Sequence, residues 1–183
     1  GLDHEFTDIK ANLIVLNAVG GGIGEAGDYL DIDLSVNLLP GDTVDALGTG
    51  TLTATARDTI RISETSGNLN LRNVLSTLGD ADLRADASIL DAVDLADPLD
   101  PQSAQLSTPA SLPRADITAR NVILTAGALG GIGVSGNDID INSSHSGDGA
   151  LTIVGTGLDA FIIETIGVLG LNTVSVGPDP NGS

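Results

Sequence analysis

The sequence predicts an all-β fold made of many short strands. Apolar residues form short runs that are continuous, as in LIVL at 13–16, or alternate with polar residues, as in TLTATA at 51–56. Both patterns are typical of β-strands. Glycine, aspartate, asparagine or serine bounds each run, and no apolar run keeps the 3.6-residue period of a helix long enough to specify one.

The predicted strands follow one another at short intervals. In chain order the runs are ANLIVLNA, YLDIDLSV, TLTATA, TIRIS, NLNLRNV and DADLRADASIL, then ITARNVILTA, NDIDINS, ALTIVGTG, AFIIET and LGLNTVSV. The chain is 41% hydrophobic, mostly as Val, Ile and Leu in these runs, so we expect it to fold rather than remain disordered. Only four of its 25 acidic residues are Glu, and the excess of Asp favours turns over helices.

An internal repeat organises these strands. DIKANLIVLNAVGGGIGEAGDYLDID, which starts at Asp8, aligns with DITARNVILTAGALGGIGVSGNDIDIN, which starts at Asp116. Further on, IRISETSGNLNL around Glu64 aligns with FIIETIGVLGL around Glu164. The first copy carries about nine extra residues, which we assign to a surface loop within 37–47.

Three segments follow from the repeat. Residues 1–89 form the first unit, and residues 114–183 form a second, truncated unit of the same array. The stretch between them, 90–113, holds four of the seven prolines and is interpreted as a loop or excursion, with an exposed binding loop as the alternative. Because the chain opens at Gly1 and closes on GPDPNGS, we expect it to be a piece of a longer protein.

Charge excludes some classes of function. The net charge of −18 repels phosphate backbones, so nucleic acid is not an expected partner. No apolar run approaches the roughly 20 residues of a membrane span, so membrane insertion is not expected, and no leader is recognisable. The absence of cysteine removes disulfides, thiolate nucleophiles and cysteine metal sites.

The stretch GIGEAG at 22–27 matches the GxGxxG pattern of dinucleotide-binding turns. Such a site needs a helix to begin at the third glycine, because the helix N-terminus holds the pyrophosphate. The strand-like DYLDIDLSV follows the first copy, and NDIDINSS follows the second copy, GIGVSG at 131–136. We therefore predict that these glycines form a structural turn rather than a nucleotide site.

Calcium is the metal that the acidic clusters suggest. Aspartates alternate with apolar residues in two equivalent stretches, which would place carboxylate oxygens on one face of a strand. The candidate ligands are Asp28, Asp31, Asp33, Asp138 and Asp140. The alternative is that these carboxylates are solvated on the outer face of a strand or deter edge aggregation.

No catalytic motif is present, and we predict that the chain is not an enzyme. His4 and His145 lie in unrelated contexts, and no nucleophile elbow accompanies them. Four arginines, Arg57, Arg61, Arg72 and Arg84, fall in successive strand-like runs and could form a row of cations. The simpler interpretation is that they make surface ion pairs with nearby Asp.

The runs ADITARNVILTAGALGGIG, GTLTATARDTIRISETSGNLNL and VLSTLGDADLRADASILDA resemble the repeats of large secreted bacterial surface exoproteins, the filamentous-haemagglutinin-like and giant adhesin group. The resemblance implies a right-handed parallel β-helix, or β-solenoid, of short stacked strands. It also implies an extracellular or cell-surface location and a role as a stalk, spacer or adhesive surface. Its implied partners are neighbouring repeats of a longer chain and a cell-surface glycan or protein.

Two sets of alternatives remain open at this point. The alternative fold is a pair of β-sandwich domains, which would differ from a solenoid in having antiparallel strands. The alternative functions are a calcium-dependent glycan- or protein-binding module and, less expected, a polysaccharide-active β-helix enzyme. A lyase of that kind would need a basic residue facing an acidic cluster in a groove.

Overall fold

The structure, a computed structural model, describes residues 7–34, 50–92, 115–155 and 159–175. It contains fourteen strands and no helix in these ranges. They are β1 (Ile9–Lys10), β2 (Leu13–Ala18), β3 (Leu30–Asp33), β4 (Thr51–Ala56), β5 (Ile60–Glu64), β6 (Leu69–Ser76), β7 (Ala81–Ala85), β8 (Ile89–Asp91), β9 (Ile117–Thr118), β10 (Val122–Thr125), β11 (Ile139–Asn142), β12 (Leu151–Val154), β13 (Ile162–Glu164) and β14 (Leu171–Ser175). The predicted all-β class is confirmed.

The strands form two parallel sheets of seven strands each. Sheet I has the order β1-β3-β5-β7-β10-β12-β14, and sheet II has the order β13-β11-β9-β6-β4-β2, with β8 also paired to β6. Every pair of named strands is parallel in the described part of the chain. The alternative of two β-sandwich domains is wrong, because it requires antiparallel sheets.

Along the chain, consecutive strands from β1 to β8 alternate between the two sheets, so one coil consists of one strand in each. This alternation is consistent with a parallel β-solenoid. The strands β8 and β9 break the alternation, since both pair with β6: Leu69 of β6 lies opposite Ile89, and Val74 lies opposite Ile117. The chain therefore leaves sheet II after β8 and enters it again at β9, and both of these strands lie beside β6.

The segment assigned to 90–113 is only partly described. Its first residues, Leu90 and Asp91, belong to β8, so strand structure continues past the boundary that the sequence indicated. Residues 93–113 lie outside the described residues, as does the loop within 37–47 to which the extra residues of the first copy were assigned.

Alternating side chains of both sheets build one buried core. On sheet I, one inward row runs through Ile60, Ala81, Val122 and Leu151, which are adjacent in register and buried. The equivalent rows of sheet II join the same hydrophobic cluster. Burying one such large side chain contributes roughly 1.5–3 kcal/mol, which a single short strand could not obtain alone. Both repeat units share this core.

The internal repeat places its two copies on opposite sheets. The strands β3 and β5 of the first unit lie in sheet I, whereas their equivalents β11 and β13 lie in sheet II. The hydrogen bonds follow the repeat: Thr65 Oγ1 donates to the carbonyl of Ile32 at 3.1 Å, and Thr165 Oγ1 donates to that of Ile141 at 3.0 Å. The same local structure is thus built twice, once on each face.

Candidate functional site

The glycine turns that precede β3 and β11 are structural turns followed by strands. Gly24 and Gly133 both have φ of 65°, a left-handed conformation that favours glycine. An antiparallel bridge closes each turn, between Glu25 and Asp28 in the first and between Val134 and Asn137 in the second. No helix begins at either turn in the described chain, so the feature that a pyrophosphate site requires is missing from both.

The predicted calcium ligands fall into two groups that the fold keeps apart. Asp31 and Asp33 alternate with Ile32 on β3 in sheet I, as expected, whereas Asp140 lies on β11 in sheet II. Asp28 is exposed in the first turn, and Asp138 is half-buried just before β11. Within the ranges that the structure describes, no group of three or more His, Asp or Glu side chains is placed to hold a metal ion.

The aspartates of β3 are buried rather than solvated on the outer face. The carboxylate of Asp33 forms an ion pair with the Lys10 ammonium group at 2.6 Å. Asp31 is also buried, and its Oδ1 accepts no hydrogen bond in the described part of the chain. The interpretation of these two residues as solvated surface charges is therefore wrong, because both are buried and Lys10 of the adjacent strand β1 pairs with Asp33.

In each unit, a glutamate at the end of a strand connects successive coils: Glu64 is buried, and Glu164 is half-buried. The repeated Glu-Thr pair in the sequence marks both positions. The Glu64 carboxylate accepts hydrogen bonds from the backbone N–H groups of Leu34 and Ser66, at 3.0 and 3.1 Å. In the second unit, the Glu164 carboxylate accepts one from the N–H of Ser143 at 3.1 Å. Burial raises the pKa of Glu64 to about 7, although the two backbone donors act in the opposite direction.

A buried carboxylate pair flanks residues 93–114, and sequence reasoning missed it. Asp91 ends β8, Asp116 precedes β9, and both side chains are buried. The pKa of Asp116 is raised to about 9, mainly by burial and next by the charge of the neighbouring Asp91. Asp116 also accepts a hydrogen bond from the backbone N–H of Asp140 at 2.8 Å. No local pattern could have found this pair, because a long stretch of chain separates its members.

The outer face of sheet I carries a cluster of Tyr29, Asp82 and Arg84. The Tyr29 hydroxyl donates a hydrogen bond to Asp82 Oδ2 and accepts one of 2.6 Å from Arg84 Nη2. The Arg84 guanidinium also lies 3.9 Å from the centre of the Tyr29 ring. Burial and the Asp82 carboxylate raise the pKa of Tyr29 to about 12, so the hydroxyl keeps its proton at neutral pH.

The four arginines do not form a single row. Arg61 and Arg84 lie on sheet I, Arg72 lies on β6 of sheet II, and Arg57 follows β4. Arg57 pairs with Asp58 at 3.5 Å, and Arg84 lies 3.8 Å from Asp82. These two contacts agree with the prediction of surface ion pairs.

Two grooves border the outer face of sheet I. One, of about 490 Å³, lies beside the first glycine turn and is lined by Gly22, Gly24, Glu25, Asp58 and Arg61 among others. The other, of about 410 Å³, lies at the opposite ends of the strands and includes Glu64, Arg84 and Asp86. His145 lies in an exposed turn away from both linings, and His4 falls outside the described residues.

No helix in the described ranges is long and apolar enough to span a membrane. In comparisons with known proteins, no family model, curated protein or solved structure matches the chain.

Proposed function

We propose that this chain is a structural repeat segment, a stalk or spacer with an adhesive surface, of a large secreted cell-surface protein. The observation that carries the proposal is the repeated stacking of parallel strands around one core, with the same Glu and Thr hydrogen bonds in both units. Such an array is extended by adding coils, each of which contacts its neighbours. The resemblance to exoprotein repeats supports the extracellular location.

The winding proposed for the array is right-handed. Connections between parallel strands of one sheet are right-handed in about 98% of cases, because a right-twisted strand and its crossover pack back onto the sheet only in that sense. Neighbouring repeats of a longer chain would continue the two sheets at β13 and β14. An experimental structure at a resolution that traces the backbone would test the handedness directly.

A spacer must hold its ends apart under load, and single-molecule pulling tests that property. With the chain fixed between two handles, we expect a constant length up to a cooperative unfolding step. A gradual lengthening at low force would contradict a spacer role.

The adhesive part of the proposal is tested with coated beads on glycan-bearing surfaces. Beads coated with the folded chain should be retained more than beads coated with heat-unfolded chain.

The second candidate is a calcium-dependent binding module, and Asp31 provides the observation that favours it. A buried carboxylate oxygen without a hydrogen bond is costly unless a ligand or water satisfies it. Calcium binding to the native state would raise the melting midpoint by mass action. We expect that rise to exceed the effect of magnesium and to be lost in Asp31→Asn. An unchanged midpoint in calcium and in chelator would remove this candidate.

A polysaccharide-active enzyme is the third candidate. The groove beside the first turn contains the basic residue Arg61 and two acidic residues, Glu25 and Asp58. Two carboxylates are fewer than the acidic cluster that such a lyase needs. No residue is assigned a catalytic role. Release of unsaturated sugar products from acidic polysaccharides would be the result that revives this candidate.

A further inference from the structure

The two glycine turns share a backbone contact that does not depend on their side chains. A Cβ atom added to Gly24 would lie 2.3 Å from the backbone oxygen of Arg61, and one added to Gly133 would lie 2.5 Å from that of Phe161. In both units, therefore, the turn packs directly against the backbone of the next strand on its sheet. The side chains around the turns are not what closes them.

Those side chains differ between the two units. Glu25 in the first turn corresponds to Val134 in the second, and Arg61 corresponds to Phe161. Because the second turn forms the same backbone with apolar side chains, the charges of the first turn are not required for folding. The charged side chains of Glu25 and Arg61 are therefore candidates for binding a ligand.

Arg61 is a cation whose side chain has no partner among the residues that the structure describes. Arg57, Arg84 and Arg120 each lie within 3.1 to 3.8 Å of an Asp oxygen. Within the part of the chain that the structure describes, the half-buried Arg61 side chain makes no hydrogen bond or ion pair. A partly desolvated guanidinium loses hydrogen bonds to water, which acceptor groups of a ligand would replace.

The groove beside Arg61 presents donors and acceptors together. Its volume of about 490 Å³ lies within the roughly 300–1,000 Å³ of small-molecule sites. The guanidinium of Arg61 offers N–H donors, whereas the carboxylates of Glu25 and Asp58 accept hydrogen bonds. Asp58 is also paired with Arg57 at 3.5 Å. A complementary ligand must accept from Arg61 and donate to a carboxylate.

We propose that this groove binds a neutral saccharide through a pair of vicinal hydroxyl groups. A hydroxyl group both donates and accepts, so two neighbouring hydroxyls can satisfy Arg61 and one carboxylate at the same time. The net charge of −18 disfavours an anionic ligand. A cation would leave the N–H donors of Arg61 without an acceptor. This site would supply the adhesive part of the proposed function and rests on that part, but it does not depend on the spacer role and would remain if the spacer role were disproved.

Millimolar affinity is expected for one saccharide unit. The groove lining contains no aromatic ring, and the nearby Tyr29 ring is engaged by Arg84. Stacking would therefore add little to the hydrogen bonds, and a dissociation constant near 1 mM corresponds to only a few such contacts. Affinity in a surface array would come from several sites acting together.

Amide-resolved NMR titration with methyl mannoside, methyl galactoside and methyl glucoside tests the proposal. We expect at least one of these sugars to shift the amide signals of Gly22 and Gly24. Arg61→Ala should weaken that binding by roughly tenfold or more, and Glu25→Gln should weaken it as well. Arg120→Ala removes the same charge from an exposed position outside the groove lining, so the binding of this variant should match that of the parent.

The second turn allows a test by transplantation. In the double variant Val134→Glu with Phe161→Arg, we expect the same sugar to shift the amide of Gly133, provided that the melting midpoint shows a folded chain. Three results would overturn the proposal: no shift with any of the three sugars, undiminished binding in Arg61→Ala, or tighter binding of glycine or glucuronate than of the neutral sugars. The last result would identify a carboxylate ligand.

Discussion

The carboxylate of Glu64 accepts a hydrogen bond of 3.0 Å from the backbone N–H of Leu34, thirty residues earlier in the chain. Glu64 ends β5, and Leu34 directly follows β3, its neighbour in sheet I. The side chain thus satisfies a backbone donor at the point where the preceding strand leaves the sheet. Ser143 and Glu164 repeat this arrangement in sheet II. The glutamate is a connection between coils.

This connection should make stability depend on pH. Burial raises the pKa of Glu64 from 4.5 to about 7, so the folded state binds the proton more tightly than the unfolded state. The resulting contribution of up to about 3 kcal/mol is complete below pH 4.5 and is lost as the pH rises through 7. We expect the melting midpoint to fall between pH 5 and pH 8.

Glu64→Gln isolates this effect. Glutamine keeps one oxygen acceptor but places an amide NH₂ group against one of the two backbone donors, so the variant should be less stable than the parent at pH 5. The difference in stability between the variant and the parent should narrow by pH 8, because the buried Glu64 of the parent is then ionised at a cost in free energy. Glu25→Gln, at an exposed position, is the matched control. An equal difference at both pH values would contradict the assignment.

The Asp91 and Asp116 pair predicts a stabilising substitution. Asp116 has a pKa raised to about 9 by burial and by Asp91, so at pH 8 the folded chain must bind a proton that the unfolded chain has released. In Asp116→Asn, the amide can donate to Asp91 and still accept from the N–H of Asp140. We expect the free energy of unfolding of this variant to exceed that of the parent by about 2 kcal/mol or more at pH 8 and to change little at pH 4.

Urea unfolding at the two pH values measures this gain. Asp148→Asn removes a charge from an exposed turn and controls for the general relief of the net charge. If Asp116→Asn proved less stable than the parent at pH 8, the carboxylate would be ionised and paired in the folded state. The assignment of a bound proton to Asp116 at pH 8 would then be disproved.

The Asp91 and Asp116 pair also marks a limit of prediction from the sequence. Strand periodicity and the repeat were enough to predict the all-β class, and the repeated Glu-Thr pair helped to align the two units. They could not show that the chain returns to the same strand of sheet II after residues 93–114, because that depends on pairing across the fold. For the same reason the alignment could not show that equivalent strands lie on opposite sheets.

The alignment of the two units also could not predict how exposed the side chains of the last described coil are. Leu71 and Val74 of β6 are fully buried, whereas the equivalent Leu171 and Val174 of β14 are 61% and 51% exposed. The local sequences share these apolar positions, but β8 and β9 pair with β6, while β14 is the last strand of sheet I in the described part of the chain. Exposure here is set by the neighbouring coil and not by local pattern.

Val74→Ala and Val174→Ala should therefore differ sharply in effect. The first removes two methyl groups from the core and should cost about 2 kcal/mol, since the cavity closes only in part. The second should cost less than about 0.5 kcal/mol, because its side chain is largely in water. Chemical denaturation of both variants measures the difference. Similar costs would show that something outside the described residues covers β14 in solution.

The glycine turns give the final prediction, and they separate a structural turn from a nucleotide site. Gly24→Val and Gly133→Val should each destabilise the fold by more than about 1 kcal/mol, because φ is positive and the new Cβ would meet backbone oxygen. Gly20→Ala, where a Cβ meets nothing within 4 Å, is the control and should be nearly neutral. Added NAD or ATP should leave the melting midpoint of the parent unchanged. A nucleotide-dependent rise that Gly24→Val abolishes would instead place a phosphate in the turn, whereas equal losses at Gly24 and Gly133 are what a repeated backbone contact requires.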